Sequence, residues 1–241
     1  MSEPTLPVLY KTPRPVLAGR DADTSLVSSN DFSFAAQTNS VPVIGTEFTL
    51  ACKHFPILFT EGEAAQPVVL LGLRDGENLF VGADGQWEQD FYVPAYIRRY
   101  PFIFLEDKDR GEFVLCLDEA SPAIVKDDSN PLFKDGKPTE LAQRALDFCQ
   151  QFQAQHAATV EFAKALAEHD LLVDNRADIT LVNGGKLSLN GFKVIDEAKF
   201  NALPAEEFLR WRERGWLHLV YCHFISFSNW AGLIDRVAKR A

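Results

Sequence analysis

The sequence predicts an α+β protein: a mostly antiparallel sheet followed by a helical portion that contains a β-hairpin. Three observations carry this. Compact apolar runs lie close together between turn pairs over residues 55–119. Apolar positions recur at helical spacing from Pro138 onward. An Asn183-Gly184-Gly185 turn sits between two strand-like stretches, DITLV (178–182) and KLSLNGFKVID (186–196).

Along the chain, residues 1–40 are rich in Pro, Ser, Asp and Asn. They are expected to form an extended N-terminal arm with local contacts. Residues 41–241 then form one unit, β-rich over 41–137 and helix-rich over 138–241. After Pro42 the spacing of Val43, Ile44, Glu47, Phe48, Ala51 and Cys52 gives a short amphipathic helix. The apolar runs FPILF (55–59), PVVLLGL (67–73), NLFV (78–81), FIFLE (102–106) and FVLCLDE (113–119) are broken by Glu-Gly, Asp-Gly and Arg-Gly pairs. That is the pattern of an antiparallel meander. Several of these runs are apolar on both faces, so the sheet needs a cover.

Thr139 is placed to cap a helix, and Glu140 in its first turn suits the helix dipole. Leu141, Ala145, Phe148, Phe152, Phe162 and Leu166 carry the apolar stripe, which Gln155 and Thr159 interrupt. One helix over 139–169 would be about 45 Å long. A bend or break near 155–158 is the alternative. Beyond the hairpin, Asp196 caps a helix and another starts after Pro204. Gly215 separates that helix from WLHLVYCHFISF, and Trp230, Leu233, Ile234 and Val237 mark a final amphipathic helix.

Charge narrows the partners. The 241-residue chain carries a formal net charge of −10. Residues 1–137 hold 12 basic and 21 acidic side chains, and the remainder hold 12 and 13. No basic excess exists to release counterions, so neither nucleic acid nor an anionic membrane surface is an expected partner. The start has no apolar run of signal-peptide length, and the longest apolar stretch is too short to span a bilayer. The expected location is the cytoplasm. The four cysteines, Cys52, Cys116, Cys149 and Cys222, are spread among apolar residues without a C-x-x-C, and read as reduced core thiols.

Catalytic signatures fail in turn. Gly184-Gly185-Lys186 does not complete a phosphate loop. There is no G-x-G-x-x-G, G-x-S-x-G, H-E-x-x-H, or H-x-D/E pattern. His218 and Cys222 share a helix face, but two ligands do not make a structural zinc site, so a satisfied core histidine is the expectation. No metal and no cofactor is expected. Asp118-Glu119 and Asp196-Glu197 stand at strand ends, where a carboxylate can serve as acid or base or, more simply, as a helix cap.

The stretch VPAYIRRYPFIF (93–104) places two permanent cations among aromatic residues. Neighbouring side chains diverge on a strand or a helical turn, so Arg98 and Arg99 cannot point the same way. A buried arginine keeps its charge and calls for a carboxylate. Glu47, Glu106, Asp118 and Glu119 are available. A structural salt bridge is one reading. The other is a clamp on an anionic small molecule by Arg98 and Arg99, with Tyr96 and Tyr100 shaping the pocket and Asp118 or Glu119 as base.

VPAYIRRYPFIF with FVLCLDEASP resembles the SapC family of bacterial proteins. So do SVPVIGTEF and FPILF (40–59), LLGLRDGENLFVGADGQW (70–87), LFKDGKPT (132–139), LSLNGFKVIDEAKFNAL (187–203) and GWLHLVYCHFISFSN (215–229). The resemblance spans roughly residues 30–235. It implies a link to a paracrystalline surface layer, and genes near flavin-dependent halogenase-like enzymes and TonB-dependent receptors. It brings no catalytic residues. The expectation is a non-enzymatic accessory or binding protein of surface-layer or envelope-uptake systems, acting with a protein partner or as a homo-oligomer. Two alternatives stay open: an enzyme with a dispersed site around Arg98 and Arg99, and a helical module that binds a partner through the 141–166 stripe.

Overall fold

Strands and helices alternate in blocks along the chain, and the computed structural model describes residues 6–27, 29–62, 65–107, 111–180 and 184–240. The first half holds β1 (Pro13–Pro15), β2 (Thr24–Leu26), β3 (Ser40–Pro42), α1 (Phe48–Ala51), β4 (Ile57–Thr60), β5 (Pro67–Leu70), α2 (Ala95–Arg98), β6 (Phe102–Asp107) and β7 (Glu112–Asp118). Then come β8 (Ile124–Lys126), β9 (Phe133–Lys134), β10 (Lys137–Pro138), α3 (Glu140–Glu168), β11 (Leu172–Thr180) and β12 (Lys186–Ile195). The chain continues with α4 (Glu197–Asn201), α5 (Ala205–Glu213), α6 (Trp216–Ser226) and α7 (Trp230–Arg240). The fold is α+β, with antiparallel pairing in each sheet.

The expected single meander is two sheets. FPILF and PVVLLGL supply β4 and β5 of a five-stranded sheet ordered β11-β12-β4-β5-β3. FIFLE and FVLCLDE supply β6 and β7 of a separate sheet ordered β1-β7-β6. NLFV is not a strand. It packs as a turn whose Val81 bridges to Trp87. The hairpin from the helical half completes the first sheet, since Phe192 and Lys193 pair with Thr60 and Phe59. Residues 181–182 at the end of the expected DITLV strand, Asn183 of the expected turn, and Arg110 of the Arg-Gly break lie outside the described residues.

The N-terminal arm also departs from expectation. Its contacts are long-range, because β1 pairs with β7 and β2 pairs with β8. Tyr10 is buried and donates from its hydroxyl to the Phe102 carbonyl at 2.7 Å. Of the arm, residues 1–5 and Ser28 lie outside the described set.

α3 runs unbroken for 29 residues. Thr139 caps it by accepting from the Ala142 N–H. Thr159, one of the two polar interruptions of its stripe, ties it to the turn before α1. Thr159 Oγ1 donates to the Gln155 carbonyl at 2.7 Å and accepts from the Gly45 N–H at 2.8 Å. Asp196 caps α4 through the Lys199 N–H. Gly215, at φ 72°, supplies the left-handed residue that turns the chain from α5 into α6. Ile57, Leu58, Phe59 and Val69 are all buried, so both faces of the central strands are covered. His223 of α6 closes the core against them. Its Nδ1 donates to the Ile57 carbonyl at 2.8 Å, and its Nε2 accepts from the Ile195 N–H at 3.1 Å.

Candidate functional site

The double arginine lies at the end of one short helical turn. Pro94 precedes α2, and its fixed φ suits a helix start. Successive side chains on that turn diverge by about 100°, so Arg98 is exposed while Arg99 turns inward.

Arg98 donates from Nε to the Val93 carbonyl at 3.0 Å and from Nη2 to the Tyr92 hydroxyl at 3.2 Å. That hydroxyl donates onward to Glu47 Oε1 at 2.6 Å. Glu47 is 4% exposed and accepts from the Ala95 N–H at 2.6 Å and the Ile44 N–H at 3.3 Å. Burial, and then the Glu47 carboxylate, push the Tyr92 pKa up to about 12. Beside this relay lies a cavity of about 240 Å³, lined by Glu47, Tyr92, Arg98, Phe148, Gln151 and Gln155 among others. One permanent cation therefore faces a small, partly apolar space with a buried carboxylate behind it.

Arg99 occupies a cage of rings. Its guanidinium carbon lies 4.2 Å from the Tyr96 centroid, 4.3 Å from Phe152 and 5.8 Å from Tyr10. Its Nε is buried without a hydrogen-bond partner. No carboxylate pairs with it among the described residues, which corrects the expectation that a buried arginine here would sit in a salt bridge. Ring quadrupoles, with hydrogen bonding to the Tyr10 and Tyr96 side chains, take that role, and a half-buried cation–ring pair is worth about 1–2 kcal/mol. The cation acts on its surroundings in turn. Burial and then Arg99 push the His156 pKa down. Burial pushes the Cys149 thiol up to about 11, with Arg99 opposing.

Both arginines address the same helix. Arg98 lies 5.5 Å from the Phe148 ring, and Arg99 reaches Phe152 one turn further along α3. Residues four apart share a helix face, so two consecutive cations grip two successive turns of it.

Apart from Tyr96 in the Arg99 cage, the remaining candidates are not gathered around these cations. Asp118 is fully buried and accepts from the backbone N–H of Lys11, Thr12 and Ala120, from the Thr12 hydroxyl, and from the Tyr100 hydroxyl. It fastens the N-terminal arm to β7. Glu119 accepts from Arg14 Nε at 3.0 Å. Tyr100 stacks on Phe34 with centroids 4.1 Å apart, and Tyr96 donates from its hydroxyl to the Val8 carbonyl. The tyrosines thus hold the arm, while Tyr92, which sequence reasoning passed over, shapes the Arg98 cavity.

The metal pair does not assemble either. His218 is exposed, with Nδ1 2.6 Å from the Gly215 carbonyl, and Cys222 is buried beside Cys52. Among the described residues no group of three or more His, Cys, Asp or Glu side chains gathers into a metal-binding cluster. The exposure of His218 corrects the expectation that it is a satisfied core histidine, and the histidine that fills that role is His223. The stripe of α3 is spent internally, since Phe152 and Phe162 are buried and Phe148 lines the cavity. Among the described residues no helix is long and apolar enough to cross a membrane.

Fold and site together define an α+β protein built on a five-stranded and a three-stranded sheet, with a small cavity lined by Arg98 beside its longest helix. A family model described as SapC matches residues 20–233, and the chain belongs to the SapC family. No curated protein and no solved structure matches it.

Proposed function

We propose that this chain is a non-enzymatic binding protein, a cytoplasmic accessory to bacterial surface-layer or envelope-uptake systems, with the Arg98 cavity as its receptor for a small anion. The observation that carries the binding reading is the state of Asp118. A carboxylate that already accepts from five donors cannot take a substrate proton without breaking the anchor of the arm. Arg98, by contrast, presents its guanidinium to a cavity and is held there by Val93 and Tyr92. The surface-layer and uptake link rests on the family resemblance.

A second reading, an enzyme with a dispersed site, draws on the Arg98–Tyr92–Glu47 relay. Arg98 would hold an anionic substrate and Glu47 would receive a proton through Tyr92. Glu47 is satisfied by three donors and Tyr92 holds its proton tightly, so binding is favoured over proton transfer.

Native mass spectrometry against the denatured mass tests this. A retained anionic adduct is expected in the wild type and is expected to be lost in Arg98→Gln with the fold intact. An adduct that persists in Arg98→Gln, or none in any preparation, would count against the cavity.

A further inference from the structure

A larger cavity lies elsewhere on the molecule, and it shares no lining residue with the Arg98 cavity. It has a volume of about 570 Å³, within the range of small-molecule sites. Three parts of the chain converge on it: Lys53 and His54 after α1, the stretch around Phe80, Glu88 and Phe91, and the outer face of α7. Four permanent cations line it, Lys53, Arg236, Lys239 and Arg240, against two carboxylates, Glu88 and Asp235. In a chain with a net charge of −10, this is a local reversal of sign.

The cations differ in how they are held. Arg240 donates to the carbonyls of Asn78, Leu79 and Val81, so it is fixed in place with no carboxylate neutralising it among the described residues. Arg236 lies 4.7 Å from the Phe80 ring centroid and 4.4 Å from Phe91, and one nitrogen pairs with Glu88 at 2.9 Å. Lys53 and Lys239 are exposed and carry no ion pair among the described residues. A helix C-terminus favours cations by itself, which accounts for Arg236, Lys239 and Arg240. It does not account for Lys53, which comes from the other wall. His54 packs against Phe91 at the same wall, and burial followed by Lys53 pushes its pKa down, so near neutral pH it adds an uncharged ring.

We propose that this groove binds a small molecule bearing a multivalent oxyanion, phosphate or polycarboxylate, clamped between Lys53 and Lys239 above Arg236, with any apolar body against Phe91 and His54. The mixture fits: free cations to pair with the anion, an immobilised arginine that needs no reordering, and an apolar wall. Gly232 of α7 lines the groove, and a Cβ built there meets no heavy atom within 4 Å. The space in front of α7 is therefore open to a ligand.

The test follows the His54 imidazole by NMR during titration with inorganic pyrophosphate and, in a separate arm, citrate. Sodium chloride at matched ionic strength is the control for screening. A saturable downfield shift of His54, without one at the buried His223, is expected with either or both probes. The tighter probe names the oxyanion. Lys53→Gln and Lys239→Gln change exposed side chains. Each should weaken binding about threefold, and the pair roughly tenfold, as exposed ion pairs are lost. Gly232→Leu replaces a helix-interior glycine by a better helix former, so it should fold while it fills the groove and abolishes the shift. No saturable response to either probe overturns the proposal. So does binding that survives Gly232→Leu, or that is unchanged in the double lysine variant. The Arg98→Gln variant should titrate like the wild type, which separates this site from the cavity above.

Discussion

His223 is fully buried against Phe59, Phe224 and Phe227, and that burial pushes its pKa down to about 4. An unfolded imidazole titrates near 6.5. Between those values the unfolded chain holds a proton that the native chain lacks. Stability therefore falls as pH drops through that window, by about 3 kcal/mol for this residue. His54 and His156, also pushed down, add in the same direction. Urea unfolding at pH 7 and pH 4.5 measures the drop, and most of it should vanish in His223→Gln, which stays neutral while offering a donor and an acceptor. Asp118 is a second buried anchor. Asp118→Asn places an NH₂ group among five donors and should cost about 2–3 kcal/mol in the same assay. An unchanged midpoint would mean that the arm is held some other way. Sequence reasoning found Asp118 and offered a cap as its bland role. It could not find the donors, because Lys11 and Thr12 arrive from the far end of β1's pairing with β7.

α3 was the most legible element, since its cap and stripe are local patterns read off spacing alone. Its continuity through 155–158 was not legible. Thr159 reads as a flaw in an apolar stripe until Gly45 is seen donating to it. Replacing Thr159 by Val keeps the shape and strands that N–H, at a cost of about 1–3 kcal/mol in unfolding free energy. The runs that form β4, β5, β6 and β7 were legible as strands and illegible as sheets, while NLFV misled and β1 and β2 in the arm went unread. FPILF and FIFLE have the same apolar character, yet one pairs with a hairpin from the C-terminal half and the other with β7. Short apolar runs carry no address for their partners. The pairing of Arg98 with Phe148 and of Arg99 with Phe152 was hidden for the same reason. A double-mutant cycle on Arg99 and Phe152 should return a coupling of about 1–2 kcal/mol, and one on the exposed Arg98 and Phe148 under about 1.

At the scale of the whole molecule, the arm reaches both larger sheets. It inserts Tyr10 under β6, supplies β1 to one sheet, and ends at Ser40, the first residue of β3 in the other, and so ties the two sheets together. Deleting the chain through Thr12 removes a buried aromatic and three of the Asp118 donors, and should lower unfolding free energy by about 3–5 kcal/mol. The charge pattern was legible only in sum. Residues 138–241 are nearly neutral overall, yet folding brings three cations of α7 beside Lys53 from the acidic half.

The two arginines in so apolar a stretch are explained by a division of roles: Arg99 fastens α3 through aromatic rings, and Arg98 faces the cavity. The unfolding free energy of Arg99→Met tests that division most directly. If the rings of Tyr96, Phe152 and Tyr10 hold the guanidinium favourably, the variant loses about 2 kcal/mol. A gain in stability would contradict the account, because it would mark Arg99 as an unpaired buried charge that waits for an anion of its own.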